Sequence, residues 1–152
     1  MTEENRISPI EQDALFREIG SALLDAVAGE WEEIRFNYRG LISISTARLE
    51  AVRPGGEVER VRPPRDASKL MRELRSGMYQ TGKGAWYTAL YVITPPGRYN
   101  VDFDYDNEPR FDVPPAAESF ALDLEHFPRE EHNIPDWLRA KLAEARQEGG
   151  EG

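Results

Sequence analysis

The clearest chemical pattern in this chain is a series of alternating carboxylates, Asp102, Asp104 and Asp106, followed by Glu108. Apolar and aromatic side chains alternate with the aspartates over residues 99–106, as in a half-buried β-strand. An extended strand would place the carboxylates on one face, roughly 6–7 Å apart per two-residue step. Because like charges repel, this face suits water, a metal ion or a basic protein surface. All three interpretations are open at this point.

The spacing of these acids argues against a calcium or catalytic site. In a calcium loop of the EF-hand type that starts at Asp102, the glycine position falls on Asn107 and the last glutamate position on Val113. Carboxylates that act as acid and base need unlike environments, whereas a regular stripe gives them similar ones. We therefore expect no catalytic residue, no metal site and no cofactor. A small acidic metal-dependent enzyme that uses the same stripe is the alternative.

The serines, the Gly-Lys-Gly segment, the histidines and the arginines match no known catalytic, phosphate-binding, zinc-binding or nucleic-acid-binding motif. No serine lies in a nucleophile elbow, and the Gly-Lys-Gly of residues 82–84 lacks the spacing of a phosphate loop. His126 and His132 flank a proline-containing segment that matches no zinc motif, so we expect a surface loop there. The arginines from Arg48 to Arg65 have no interleaved aromatics. We expect them on an exposed hairpin edge and not in a nucleic-acid interface, and their role stays open.

The composition indicates one acidic globular domain. The chain has 152 residues, of which 39% are hydrophobic and 31% charged, with no cysteine. This predicts a single domain over residues 1–146 with a disordered tail at 147–152. The absence of cysteine excludes disulfides and thiolate metal ligands. No apolar run has the length of a membrane span and the N-terminus is acidic, so we expect a soluble cytoplasmic protein without membrane contact.

The formal net charge of −9 is unevenly distributed. Residues 1–34 carry nine acidic and two basic side chains, and residues 99–152 carry fourteen acidic and five basic ones. Residues 35–75 have the opposite balance, with ten basic and five acidic side chains. An acidic surface repels nucleic acid and attracts cationic partners. The alternative is that the acidity only keeps the protein soluble.

Hydrophobic periodicity predicts four helices and five strands. The first helix is expected over Pro9–Ala28, with Ser8 as N-cap and Glu11 completing a capping box. A second helix is expected over Asp66–Tyr79, with Asp66 as its cap. The other predicted segments are strands at Glu33–Arg39, Leu41–Leu49, Val58–Val61, Ala85–Thr94 and Tyr99–Asp106, and helices at Ala116–Leu124 and from Pro135. The order α-β-β-β-α-β-β-α-α predicts an α+β domain whose antiparallel sheet has helices packed on one face.

Several of these segments together resemble the YezG-like family of bacterial immunity proteins. They are the long first helix leading into Trp31 and Glu32, the run Trp86–Ile93, the segment Gly97–Asp106 (GRYNVDFDYD), and the late motifs Phe127–Arg129 and Ile134–Leu138. The resemblance covers most of the chain, from about Asp13 to Leu142. The arginine-rich segment Arg48 to Arg65 lies outside the family pattern.

The resemblance implies an α+β domain that neutralises a cognate polymorphic toxin, often a nuclease, inside the cell that makes it. A nuclease carries cations to bind phosphate, and an acidic protein can occupy that surface. We expect the toxin to be contacted by an acidic stripe and an aromatic anchor, which is Tyr105 or another exposed aromatic; the stripe consists of Asp102, Asp104, Asp106 and Glu108. A transient adaptor without a toxin is a further alternative. The toxin's identity, the mode of inhibition and the oligomeric state are left open.

Overall fold

A computed structural model describes residues 6–150 of the chain as one α+β domain with four α-helices and a five-stranded antiparallel sheet. The order of elements is the predicted one. The helices are α1 (Pro9–Ala26), α2 (Arg65–Gly77), α3 (Ala117–His126) and α4 (Asp136–Gly150), with a 3-10 turn at Glu131–Asn133. The strands are β1 (Glu33–Gly40), β2 (Ser45–Val52), β3 (Val58–Val61), β4 (Thr88–Thr94) and β5 (Arg98–Asp104). No helix among these residues is long and apolar enough to cross a membrane.

The sheet has the strand order β3-β2-β1-β4-β5, so β1 is central and β3 and β5 are the edges. Alternation in β1 buries Ile34, Phe36 and Tyr38 on one face. Ile19 and Leu23 of α1 belong to the same core cluster, as do apolar side chains of α2. These two helices therefore cover one face of the sheet. We call the opposite face, which carries the other set of alternating side chains, the open face.

Helices α3 and α4 form a second, smaller core at one end of the sheet. Phe120 of α3 and Leu138 of α4 pack with Leu41 and Tyr87. Leu41 directly follows β1 and Tyr87 directly precedes β4, and these positions lie at the same sheet end because β1 and β4 are antiparallel. The second core thus fixes α3 and α4 beside the end of the sheet.

Helix α1 begins as its sequence predicts. The backbone N–H of Glu11 donates to Ser8 Oγ and the backbone N–H of Ser8 donates to Glu11 Oε1, both at 3.1 Å. This reciprocal capping box satisfies two backbone donors that the first helical turn would otherwise leave unpaired. The helix ends at Ala26, two residues before the predicted end, because Val27 adopts an extended conformation.

The second strand begins later than predicted, at Ser45 instead of Leu41. Leu41 is buried in the second core, and its backbone N–H donates to the carbonyl of Ile44 at 2.8 Å. The N–H of Ile42 donates to the carboxylate of Asp123 at 2.7 Å. These contacts bend residues 41–44 into a loop, although their β-branched composition favours a strand.

The predicted N-cap of α2 is also wrong. The helix begins at Arg65 with Pro64 in the capping position and no side-chain cap, and Asp66 lies within the first turn. The carbonyl of Pro64 accepts from the N–H of Ala67 at 3.2 Å, so the backbone closes the turn without a side chain. The negative charge of Asp66 still suits the helix N-terminus.

The C-terminal segment 147–152, for which disorder is predicted, falls partly within the described chain. Helix α4 continues to Gly150, and residues 151–152 lie outside the described residues. Residues 1–5, at the start of the predicted domain, also lie outside them. Disorder of the tail stays a prediction.

Candidate functional site

Strand β5 is an edge strand whose aromatic side chains face the main core. The ring of Phe103 lies 6.2 Å from Phe16 of α1 and 5.2 Å from Trp86, measured between centroids. Tyr99 stacks on Tyr91 of β4 at 5.4 Å. Because successive side chains of a strand point to opposite faces, this packing directs Asp102 to the open face. The predicted division of β5 into an aromatic and an acidic face is confirmed within the strand.

The acidic stripe does not continue to Asp106, because β5 ends at Asp104. The carboxylate of Asp104 accepts hydrogen bonds from the backbone N–H groups of Asp106 and Asn107, both at 3.0 Å. It also accepts one from the side-chain amide of Asn107 at 2.9 Å. The side chain thus closes a turn, as aspartates often do. The prediction that three carboxylates share one strand face is therefore wrong at its C-terminal end.

The hydrogen bonds of Asp104 also determine its protonation. Partial burial alone would raise the pKa of its carboxyl group, but the bonds from Asn107 and Asp106 outweigh burial and lower that pKa. Bonds donated to the charged form favour ionisation. Asp104 is consequently ionised at neutral pH with most of its acceptor capacity used within the turn.

Two side chains fix the turn after β5 by donating hydrogen bonds to its backbone carbonyls. The guanidinium of Arg129 donates to the carbonyl of Tyr105 at 2.6 Å, and Trp137 Nε1 donates to the carbonyl of Asp106 at 2.7 Å. Tyr105 is half-buried against the main core, and burial raises the pKa of its phenol. Tyr105 is therefore not an exposed anchor. Tyr99, which is 38% exposed, is the exposed aromatic of this edge.

Three of the predicted contact residues are exposed around this turn: Asp102, Asp106 and Glu108. Asp102 has a weak hydrogen bond at 3.4 Å from the amide of Asn100. The carboxylate of Glu108 lies 3.9 Å from the ammonium of Lys141. We call the four residues Asp102, Asp104, Asp106 and Glu108 the acidic edge. Its members share one sheet edge and the following turn, but only three of them present accessible carboxylates.

A buried charge cluster that the sequence reasoning missed supports this edge. Arg75 of α2 and Asp123 of α3 form two hydrogen bonds of 2.7 and 2.8 Å, with side chains only 4% and 3% exposed. Arg75 lies on the apolar stripe of α2, four residues after Met71 and next to Leu74. A cation in such a stripe is a sequence signal for a buried partner. Nothing in the sequence indicates Asp123 as that partner.

Arg129 connects the buried cluster to the turn. Its guanidinium lies 4.9 Å from the ring centroid of Tyr87, and that of Arg75 lies 5.5 Å from the same ring. Arg129 also donates to the carbonyls of Ala85 at 3.2 Å and Asn133 at 2.9 Å. Burial raises the pKa of Tyr87 to about 12, so the phenol between the two cations stays neutral. The position of the acidic turn is thus determined by interactions that reach α2.

The arginine-rich segment, Arg48 to Arg65, includes β3, which is the edge of the sheet opposite β5. Arg60 belongs to the opposite edge strand β3 and is exposed, as expected for a hairpin edge. Arg48 lies inside the sheet on β2, opposite Asn37 of the central strand. Asp112, in the segment after β5, lies 3.5 Å from Arg48 and 3.9 Å from Arg39. Asp112 therefore partly neutralises the arginines of β1 and β2 on the open face.

The described part of the chain contains no group of three or more histidine, cysteine, aspartate or glutamate side chains arranged to hold a metal ion. His126 ends α3, His132 lies in the 3-10 turn, and both are exposed. No protein-family model matches this chain, and no curated protein matches its sequence. Any functional assignment therefore depends on the surfaces described above and on the resemblance of the motifs.

Proposed function

We propose that this protein is an immunity protein that binds and neutralises a cognate cationic toxin, with a nuclease domain as the expected target. The observation that carries the proposal is the acidic edge: accessible carboxylates on an edge strand and its turn, held in place by Asp104, Arg129 and Trp137. A preorganised charged surface loses little conformational freedom on binding. The motif resemblance supplies the class of partner.

The residues of the acidic edge divide into contact and positioning roles. Asp102, Asp106 and Glu108 present carboxylates to the toxin, where opposite charges accelerate association. Asp104 fixes the turn and orients its neighbours. Tyr99 takes the role of aromatic anchor, because it is the exposed ring of this edge, and its hydroxyl lies 3.3 Å from the carboxylate of Asp13.

The test is affinity capture from lysate of cells that naturally produce the chain, with bound proteins identified by mass spectrometry. The edge variant D102N/D106N/E108Q removes three accessible charges and leaves Asp104 to cap the turn. The control variant E18Q/D25N/E73Q removes the same charge from exposed positions on α1 and α2. The proposal predicts that the wild type and the control variant retain one basic protein that the edge variant does not retain.

Several results would contradict the proposal. Equal capture by all three proteins would place the contact elsewhere on the molecule. A loss of capture with both variants would show only an effect of net charge. The captured protein, produced alone in a heterologous bacterium, must also arrest growth; a harmless partner would favour the adaptor interpretation.

A further inference from the structure

Strand β5 has a free edge. Its other edge pairs with β4, and no described strand lies beyond it. The strand has seven residues, Arg98–Asp104, and contains no proline. An uncovered strand edge presents unpaired N–H and C=O groups that can pair with another extended chain. The opposite edge strand, β3, has four residues and offers a shorter template.

The strand register identifies the backbone groups at this free edge. The carbonyl of Tyr87 accepts from the N–H of Gly40 in β1 at 3.0 Å, so the next residue, Thr88, directs its backbone groups toward β5. Thr88 pairs with Asp104. Because the backbone groups of successive strand residues point to opposite sides, the even-numbered residues of β5 bond to β4. Three odd-numbered residues direct their N–H and C=O groups to the free edge: Tyr99, Val101 and Phe103.

The side chains along this edge form two rows of different chemistry. On the face that the helices cover, Val101 and Phe103 are only partly buried. Their register partners on β4, Tyr91 and Ala89, are fully buried, so the helices leave the apolar row of β5 incompletely covered. On the open face, Asp102 is exposed and has only one weak hydrogen bond. The edge thus combines outward backbone groups, uncovered apolar surface and an accessible negative charge.

We propose that β5 binds an extended segment of the cationic toxin, which adds an antiparallel strand to the sheet; the class of partner rests on the proposed function. Main-chain hydrogen bonds supply affinity in this mode of binding, and alternate side chains supply specificity. A residue opposite Asp102 occupies a non-hydrogen-bonded pair, where side chains are closest, and a basic side chain suits it. Residues opposite Val101 and Phe103 cover the apolar row. The segment therefore alternates basic and apolar residues.

A basic segment suits this edge better than a second copy of the chain. Each copy has a formal net charge of −9, so two copies repel each other. The same net charge attracts a basic segment, and Asp102 attracts it at the edge itself. Beyond the end of the strand, Asp106 and Glu108 present further negative charge to cations that follow the paired segment.

The test uses a synthetic peptide, so its result does not depend on the identity of the toxin. The probe is a capped heptapeptide of alternating arginine and valine, which matches the length of β5. It is added at millimolar concentration to the isotope-labelled full chain, and amide hydrogen exchange is measured by NMR. The amides of Tyr99, Val101 and Phe103 should exchange about tenfold more slowly with the peptide. Those of Asn100 and Asp102, which already bond to β4, should slow much less.

Two control peptides separate strand addition from charge attraction. One has the same composition with its arginines and valines in separate blocks, so it cannot place basic and apolar residues on opposite faces. The other carries N-methylated valines, which keep the charge but cannot donate hydrogen bonds to β5. Neither should slow the exchange of the outward amides.

Proline variants test the same contact from the side of the chain. V101P removes the central outward N–H of β5, and proline is tolerated on an edge strand where the N–H does not bond within the sheet. V58P makes the same change at the free edge of β3, because Arg53 donates to Glu57 across that hairpin and the next residue therefore points outward. V101A keeps the N–H and controls for the lost side chain. V101P should bind the peptide about tenfold more weakly or worse, and V58P and V101A within about threefold of the wild type.

Two results overturn strand addition: no slowing of the outward amides by the alternating peptide, or equal slowing by the N-methylated one. Outward amides that are already protected in the free chain, and lose protection on dilution, would place a second copy on this edge and overturn it as well. A toxin that is captured through the acidic edge and binds V101P like the wild type would keep the proposed function and remove strand addition. Alternating protection by the peptide, together with capture of no toxin, would keep the binding of basic strands and remove the proposed function.

Discussion

Replacement of Asp123 by alanine is expected to lower the free energy of unfolding by about 3–5 kcal/mol, the usual cost of breaking a buried ion pair. The carboxylate accepts two hydrogen bonds from Arg75, at 2.7 and 2.8 Å, and one from the N–H of Ile42 at 2.7 Å. Its removal leaves a guanidinium with a 4% exposed side chain without its counter-charge. Small domains are stable by only about 5–15 kcal/mol, so this loss is a large fraction of the total.

The assay is urea unfolding at neutral pH, followed by the fluorescence of the three tryptophans, with the free energy extrapolated to zero urea. The double variant R75M/D123L is the informative comparison. Replacing both charges by apolar side chains removes the desolvation cost, so this variant should be more stable than D123A. The exposed pair of Arg17 and Asp13 provides a control, and R17A should change stability by about 0.5 kcal/mol or less.

Two results would refute this reasoning. A loss below about 1 kcal/mol for D123A would mean that water or local rearrangement compensates the buried cation. If the loss of stability in R75M/D123L equals the sum of the losses in R75M and D123L measured singly, Arg75 and Asp123 contribute independently and not as a pair.

Three further predictions concern the helix cap and the acidic turn. S8A should lower the unfolding free energy by about 1 kcal/mol in the same assay, because the capping box is lost; no change would contradict the cap. D104A should cost about 1 kcal/mol at neutral pH. Because the folded-state pKa of Asp104 is lowered, this difference should vanish as the pH falls through that pKa, and a difference that grows in acid would contradict the assignment. R129K keeps the positive charge but loses the planar guanidinium that donates to the carbonyls of Ala85 and Tyr105. The turn should then open more often, so the amides of Asp106 and Asn107 should exchange hydrogen faster by NMR. Unchanged exchange would contradict the role of Arg129.

Local signals in the sequence predicted the elements whose determinants are local. The capping box of α1 needs only Ser8 and Glu11, three residues apart, and the aromatic face of β5 follows from strict alternation. Boundaries set by distant contacts were predicted wrongly. The loop at residues 41–44 depends on Asp123, which is 81 residues away from Ile42 in sequence.

The candidate site was only partly predictable for the same reason. The acidic character of the edge is visible in the sequence, but the end of β5 depends on how the carboxylate of Asp104 folds back onto the next residues. Tyr105 falls on the aromatic side of the alternation, with Val101 and Phe103, and like them it packs against the main core, so its choice as an exposed anchor went against the pattern. The strand order requires β1 to pair with β4, although β2, β3 and α2 lie between them in sequence, and hydrophobic periodicity contains no information on that pairing.

Growth rescue is the direct test of whether the acidic edge neutralises a cationic toxin. The toxin captured from the native lysate is produced in a heterologous bacterium together with the wild type, the edge variant D102N/D106N/E108Q or the control variant E18Q/D25N/E73Q. The wild type and the control variant should restore growth, and the edge variant, at equal abundance, should not. Full rescue by the edge variant would contradict this expectation.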